Sequence, residues 1–99
     1  MRRAAKTDAN QTEIVKALRD AGCSVLILSS VGGGCPDLLV SSAVYPHSLA
    51  LLEIKDGKRP PSERKLTKDQ EKFHRNWKGP IYVVTSIPEA LAAVGIMEL

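Results

Sequence analysis

Asp37, Glu53 and Lys55 are the side chains whose types and spacing point to chemistry in this chain. Asp37 follows Pro36 in "GCPDLLV" and leads straight into an apolar run, while Glu53 and Lys55 break the end of another, "LALLEIK". Side chains alternate along a strand, so Glu53 and Lys55 share a face with Leu51 and Ile54 points the other way. Charges at the end of a buried strand need partners or an ion. Antiparallel pairing of 37–42 with 49–55 lays the start of the first strand beside the end of the second. Two carboxylates and an ammonium then meet at one sheet edge. Crowded carboxylates repel, and a hard divalent cation relieves the repulsion. Oxygen donors without a His or Cys cluster favour Mg²⁺ or Mn²⁺ over Zn²⁺, and the backbone carbonyl of Ile54 offers a further oxygen.

Two more polar residues sit badly in a plain core. Gln70, Phe73, His74 and Trp77 fall on one helical stripe, at i, i+3, i+4 and i+7. Phe73 and Trp77 are its core-facing members, so Gln70 points towards the sheet, where an inward amide needs hydrogen-bond partners. Glu13 lies at the edge of an earlier apolar stripe, either solvated or leaning over the sheet end to reach a metal-bound water. Asn10, one turn earlier, is a weaker candidate. Each feature also has a bland reading. The "ExK" pair can be a strand end emerging into solvent with a local ion pair, and Gln70 a satisfied glutamine at a helix rim.

The elements that would position these residues are legible in order. "TDANQTEIVKALRDAG" reads as a helix capped by Thr7 or Asp8, with Ile14, Ala17, Leu18 and Ala21 as its stripe and Gly22 as its stop. "CSVLILSS", "DLLVSS" and "LALLEIK" read as three strands, separated by "VGGG" and "AVYPHS" turns. "DGKRPPSERK" is a polar loop. "LTKDQEKFHRNWKG" is a helix with Thr67 at its N-cap, "PIYVVTS" a fourth strand, and "SIPEALAAVG" a last helix with Ser86 and Glu89 at capping-box spacing. The expected fold is α/β, in the order α-β-β-β-α-β-α. A three-stranded meander is joined in parallel by a strand arriving through a crossover, with helices covering the mixed sheet.

Composition narrows the classes. Ninety-nine residues with 43% apolar and 25% charged content describe one globular domain, not a disordered chain. No apolar run reaches membrane-span length and no signal-peptide pattern opens the chain, so a cytoplasmic protein is expected. Cys23 and Cys35 have neither metal-site nor redox spacing and are expected as reduced thiols. From Lys55 to Lys78, nine Lys or Arg stand against four Asp or Glu. That region carries +5 of a net charge of +3, leaving −2 on the rest. Such a basic region suits a polyanionic partner or, equally, a solvated loop and helix face.

"CPDLLV", followed sixteen residues after Asp37 by the Glu53 of "EIK", resembles the PD-(D/E)XK nuclease superfamily. The early glutamate in "QTEIVKAL", the "GGGCPD" approach, "EIKDGKRPP", the glutamine in "LTKDQEKF" and "GPIYVVTSIPEAL" are similar to the VRR-NUC (virus-type replication-repair nuclease) family. The resemblance spans nearly the whole chain. It implies a restriction-endonuclease-like αβββαβ core with an extra C-terminal helix. It also implies Asp37 as central metal ligand, Glu53 as second carboxylate ligand assisted by the Ile54 carbonyl, and Lys55 positioning or activating the attacking water. Gln70 would orient Lys55 or the water shell, and Glu13 would complete the outer metal environment. The implied activity is Mg²⁺- or Mn²⁺-dependent DNA endonucleolysis. Selection would be for branched structures, as in Holliday-junction resolvases, by a homodimer in the cytoplasm of a bacterium or phage-infected host. The chain departs from the family's pattern in lacking a basic residue before its glycine approach.

Gly33 and Gly34 do not belong to a P-loop, since no Gly-Lys-Ser/Thr follows, and no nucleotide cofactor is expected. Their expected use is steric, letting DNA come close. Lys58, Arg59, Arg64, Lys65 and Lys68 are candidate phosphate contacts, which carry affinity rather than sequence choice. With Phe73 and Trp77 assigned to the core, no single-strand stacking platform is expected. A non-catalytic nucleic-acid-binding module on the same fold is the alternative; its binding would survive metal removal.

Overall fold

The chain runs α1 (Gln11–Asp20), β1 (Ser24–Ile27), β2 (Leu38–Ser41), β3 (Leu49–Ile54), a 3-10 turn (Pro61–Glu63), α2 (Lys68–Asn76), β4 (Ile81–Val84) and α3 (Ile87–Ala93). These elements belong to a computed structural model that describes residues 8–97. The expected cap Thr7 lies outside the described residues. Asn10 occupies the N-cap position of α1, with no side-chain capping bond. No helix among the described residues is long and apolar enough to cross a membrane.

The strands form one mixed sheet in the order β1-β2-β3-β4. β1, β2 and β3 are an antiparallel meander, and β4 joins β3 in parallel after the crossover through α2. The β2–β3 register pairs Leu38 with Leu52 and Val40 with Ala50. Continuing that register by one residue sets Asp37 opposite Glu53, the juxtaposition expected from the sequence.

Alternation along the strands divides the sheet into two faces. On one, Leu38, Val40, Leu52, Ile54 and Val84 pack with Ile14, Val15 and Leu18 of α1 and with Ala90 and the adjoining Val94 of α3. Ile14, Leu18, Leu38, Leu52 and Ile54 have no exposed surface, each stabilising the fold by about 1.5–3 kcal/mol relative to exposure. The buried stripe of α1 is Gln11, Ile14, Val15 and Leu18, rotated slightly from the stripe expected. Gln11 is satisfied there by Ser29, with Nε2 donating to Oγ at 3.0 Å and Oε1 accepting from it at 3.1 Å.

The other face carries a row of Leu26, Leu39, Leu51 and Ile81, one from each strand, and beyond Leu51 on β3 it carries Glu53. α2 addresses this face at its Glu53 end. Side-chain caps start the two helices on either side of β4 in the chain. Thr67 Oγ1 accepts from Gln70 N while Gln70 Oε1 accepts from Thr67 N, a reciprocal capping box. At α3, Ser86 Oγ accepts from Glu89 N, but the Glu89 carboxylate takes Thr85 N and Oγ1 rather than the amide of Ser86.

Candidate active site

Asp37, Glu53, Lys55 and Gln70 line one polar cavity of about 300 Å³ at the end of β3, with Asp8, Arg59 and Glu63 completing the wall. The β2–β3 register delivers the two carboxylates. Asp37 Oδ2 accepts from Ile54 N at 2.7 Å, which anchors it across the strand gap. Glu53 is buried, and its Oε1 atom has no hydrogen-bond partner. Burial, then the adjacent Asp37 carboxylate, pushes the Glu53 carboxyl up to about 9, with Lys55 opposing the rise. Glu53 therefore holds a proton at neutral pH as long as no cation sits between it and Asp37.

Lys55 is also buried, which is rare for an ammonium without a partner. Gln70 supplies that partner. Its Oε1 accepts from Lys55 Nζ at 2.8 Å, and its Nε2 donates to Glu53 Oε2 at 3.3 Å. One amide thus bridges the ammonium and the carboxylate while also closing the capping box of α2. The inward orientation expected for Gln70 is what the structure displays. Lys55 is braced from behind by Asn10, whose Nδ2 donates to the carbonyls of Lys55 and Thr85, each at 3.1 Å. Asn10 ties the ends of β3 and β4 together and is a positioning residue.

Gly34 fixes α2 relative to the sheet. A Cβ at Gly34 would fall on the Asp69 carbonyl and Gln70 amide, and its φ is +80°. Glycine is required because the helix backbone comes this close. The expected DNA approach at Gly34 is thus corrected: the position is filled by the first turn of α2. Gly33 has open space around its Cα and keeps that role available.

Glu13 is the second correction. It is exposed and does not line the cavity. The inward stripe of α1 starts at Gln11, and two residues on is about 200° around the helix, on the outer face. Asp8, immediately upstream of α1, takes the place next to Asp37 and Lys55. Burial raises its pKa, Lys55 opposes, and Asp37 and Asp56 raise it further. Asp8 was legible only as a helix cap, because nothing in local periodicity reports where the chain before a helix leads.

Among the cations expected to meet phosphate, Arg59 lines the cavity and pairs with Glu63 at 3.8 Å. Lys58, Lys65 and Lys68 are exposed outside it, and Arg64 is half-buried with an unpartnered Nε. His74, on the stripe of Gln70, was not assigned a role from sequence. Its Nε2 lies 3.9 Å from Glu53 Oε1. Burial, then Lys55, lowers its pKa, so the ring is neutral at pH 7. Cys35 stands near the carboxylates; burial, then Glu53 and Asp37, raises its pKa and favours the thiol. Both cysteines are unpaired.

The donor set suits one hard cation. Among the described residues, four carboxylates and two cationic side chains line the cavity, a balance that disfavours a bare phosphate. Glu53 Oε1 is an orphaned buried oxygen beside a second carboxylate. Among the described residues no three His, Cys, Asp or Glu side chains cluster closely enough to hold an ion by themselves. Protein donors would therefore be few, as Mg²⁺ prefers when it keeps its waters.

The expected core placement of Phe73, which is half-buried and outside the core cluster, and of Trp77 is the third correction. The Trp77 side chain is 46% exposed and stacks on Phe73, with ring centroids 5.5 Å apart and planes 15° apart. α2 ends at Asn76, and Trp77 is its C-cap, its N still donating to the Phe73 carbonyl, so it keeps the stripe's direction but stands at the exposed end of the helix.

No protein-family model, curated protein or solved structure matches the chain.

Proposed function

We propose that this chain is a Mg²⁺- or Mn²⁺-dependent DNA endonuclease on a restriction-endonuclease-like core, of the VRR-NUC type within the PD-(D/E)XK superfamily. The observation that carries the reading is the convergence of Asp37, Glu53, Lys55 and Gln70 on one cavity, linked by the Gln70 bridge from Lys55 Nζ to Glu53 Oε2. Glu53 lies sixteen positions after Asp37, and packing a core asks for neither a buried ammonium nor a carboxylate with an orphaned oxygen. Asp37 and Glu53 would hold the ion, with the Ile54 carbonyl and, from the far wall, Asp8 as further oxygens. When bound, the ion supplies Lewis acidity towards the phosphate and lowers the pKa of attacking water.

The remaining work falls to the chain's own groups. Lys55, fixed by Gln70, is the one ammonium among the described residues that line the cavity and stabilises negative charge developing on the phosphoryl oxygens. Gln70 holds that ammonium in place, and Asn10 holds its backbone. Glu53 would hold the ion as a carboxylate, its proton released to solvent. Rigid strand ends hold these groups to tight tolerances. Arg59 at the rim, with Lys58, Lys65 and Lys68 outside it, supplies backbone affinity without sequence choice. Selection of branched DNA by a homodimer completes the reading: paired incision of a symmetric junction needs two sites. Exposed Leu26 and Ile27 on edge strand β1 offer a second copy apolar surface.

The test is cleavage of four-way-junction, flap and linear DNA with Mg²⁺, Mn²⁺ or EDTA. Metal-dependent cleavage is expected, and Lys55→Ala should lower it by about a hundredfold or more. Undiminished cleavage by Lys55→Ala would remove Lys55 from the mechanism. DNA binding in EDTA with no cleavage under any metal would establish a non-catalytic binding module instead.

A further inference from the structure

The Phe73–Trp77 pair has no counterpart in the catalytic reading. It lies in a separate open cleft of about 350 Å³, lined by Gly33, Asp69, Lys72, Phe73, Asn76 and Trp77. Aromatic pairs pack edge-to-face or offset-stacked. An edge-to-face pair closes on itself, whereas near-parallel rings leave an outer π-face on which a further planar ring can be laid. Here the planes are 15° apart and the outer member, Trp77, is nearly half exposed.

The surroundings of the rings are polar. Asp69 and Asn76 place an acceptor and an amide along the edge of the cleft, and Lys72 adds an ammonium with no ion-pair partner among the described residues. Residues 68–78 carry four Lys or Arg against two carboxylates. Gly33, with nothing within 4 Å of a would-be Cβ, leaves its backbone accessible at the opposite lip. A second copy of the chain would meet this surface less well than the exposed leucines of the sheet. An aromatic plane edged by hydrogen-bonding groups and flanked by a cation matches a nucleotide: base on ring, phosphate on ammonium.

The cleft is joined to the candidate active site through α2, which lines both. α2 presents Gln70 and His74 to the cavity of Glu53 and presents Lys72, Phe73 and Trp77 to this cleft. From Gln70 to Trp77 the helix rises about 10 Å, roughly three nucleotide steps of a duplex strand.

We propose that the Phe73–Trp77 stack is a nucleobase subsite that holds an unpaired base of the DNA a few nucleotides from the bond to be cut. The inference rests on the nuclease reading and deepens it: the preferred DNA has an unpaired or single-stranded segment beside the incision, as at a flap or an open junction. A fully paired duplex cannot present a base to Trp77 without unstacking it.

Trp77 is the only tryptophan of the chain, so its emission reports on the subsite directly. The full chain in EDTA is titrated with a short oligothymidylate and with a blunt duplex of equal length. Saturable quenching by the single strand and little by the duplex is expected. Trp77→Leu should weaken single-strand binding on the order of tenfold, with most of the affinity restored in Trp77→Phe. Unchanged emission at saturating single strand would overturn the subsite, as would binding that Trp77→Leu leaves intact. A concentration-dependent emission shift without DNA, tracking dimerisation by light scattering, would assign the surface to a second copy. The titration needs no cleavage. A chain that cuts without quenching loses only the subsite, and one that quenches without cutting loses only the nuclease.

Discussion

Replacing Glu53 by glutamine should stabilise the metal-free protein, and by an amount that grows with pH. The Glu53 carboxyl moves from an ordinary 4.5 to about 9 in the fold, driven by burial and by Asp37. Between those values the folded chain binds a proton that the unfolded chain has released. Stability is thus complete below about pH 4.5 and is lost as pH rises towards 9. At pH 7 the gap from 4.5 is about 2.5 units, which at 1.36 kcal/mol per unit is about 3 kcal/mol. That is a large fraction of the roughly 5–15 kcal/mol typical of a domain. Glutamine mimics the protonated acid: its oxygen can accept from Gln70 Nε2, and its amide can donate towards Asp37. Urea denaturation in EDTA, followed by fluorescence, should place Glu53→Gln above wild type by about 1–2 M in midpoint at pH 7. The two should coincide near pH 4.5 and diverge further at pH 8.5. Saturating Mn²⁺ should raise only the wild type, by about 2.7 kcal/mol at a hundred times its Kd. A difference between the two proteins that does not vary with pH, or a Glu53→Gln variant less stable at pH 7, would refute the crowded-carboxylate account.

Three further outcomes are expected. Gly34→Ala should destabilise the fold by about 3 kcal/mol or more, because its Cβ meets helix backbone that has no rotamer to escape into, whereas Gly33→Ala meets no atom and costs about 1–2 kcal/mol through its positive φ alone; thermal melts of the pair measure both. Asn10→Ala should cost about 1–3 kcal/mol by leaving the Lys55 and Thr85 carbonyls unpaired, and in cleavage assays should lower kcat more than it raises KM. Asp8→Asn should weaken metal affinity, seen as a higher Mn²⁺ concentration for half-maximal cleavage, while Glu13→Gln, on the outer face of α1, should leave that concentration unchanged.

The order of the elements was written locally and could be read locally. Thr67 and Ser86 announce helix starts, Gly22 a helix end, and the runs around Leu39, Leu51 and Val83 are short and apolar between turn residues, as buried strands are. The juxtaposition of Asp37 and Glu53 also followed, because a meander leaves antiparallel pairing as the simple arrangement and the spacing then sets the register. Gln70 was legible through helical period, since its stripe-mate His74 turns inward with it. Trp77 was misread by the same rule. The stripe assumes that the helix continues, and α2 ends one residue before it.

Sequence alone determined which residues could make an active site and which strand or helix carries each one. It held the carboxylate–ammonium pair of "EIK", the paired aspartate before β2 and the glutamine of α2. Only the tertiary structure decided the rest: that Asp8 and not Glu13 faces the cavity, that Gly34 is occupied by helix backbone, that Asn10 braces Lys55, and that Trp77 is left open. The reason is physical. Periodicity reports the apolar side of one element, whereas the path of a loop and the closeness of two backbones depend on contacts between residues far apart in the chain. Asn10 and Thr85 lie 75 residues apart, and no local pattern couples them.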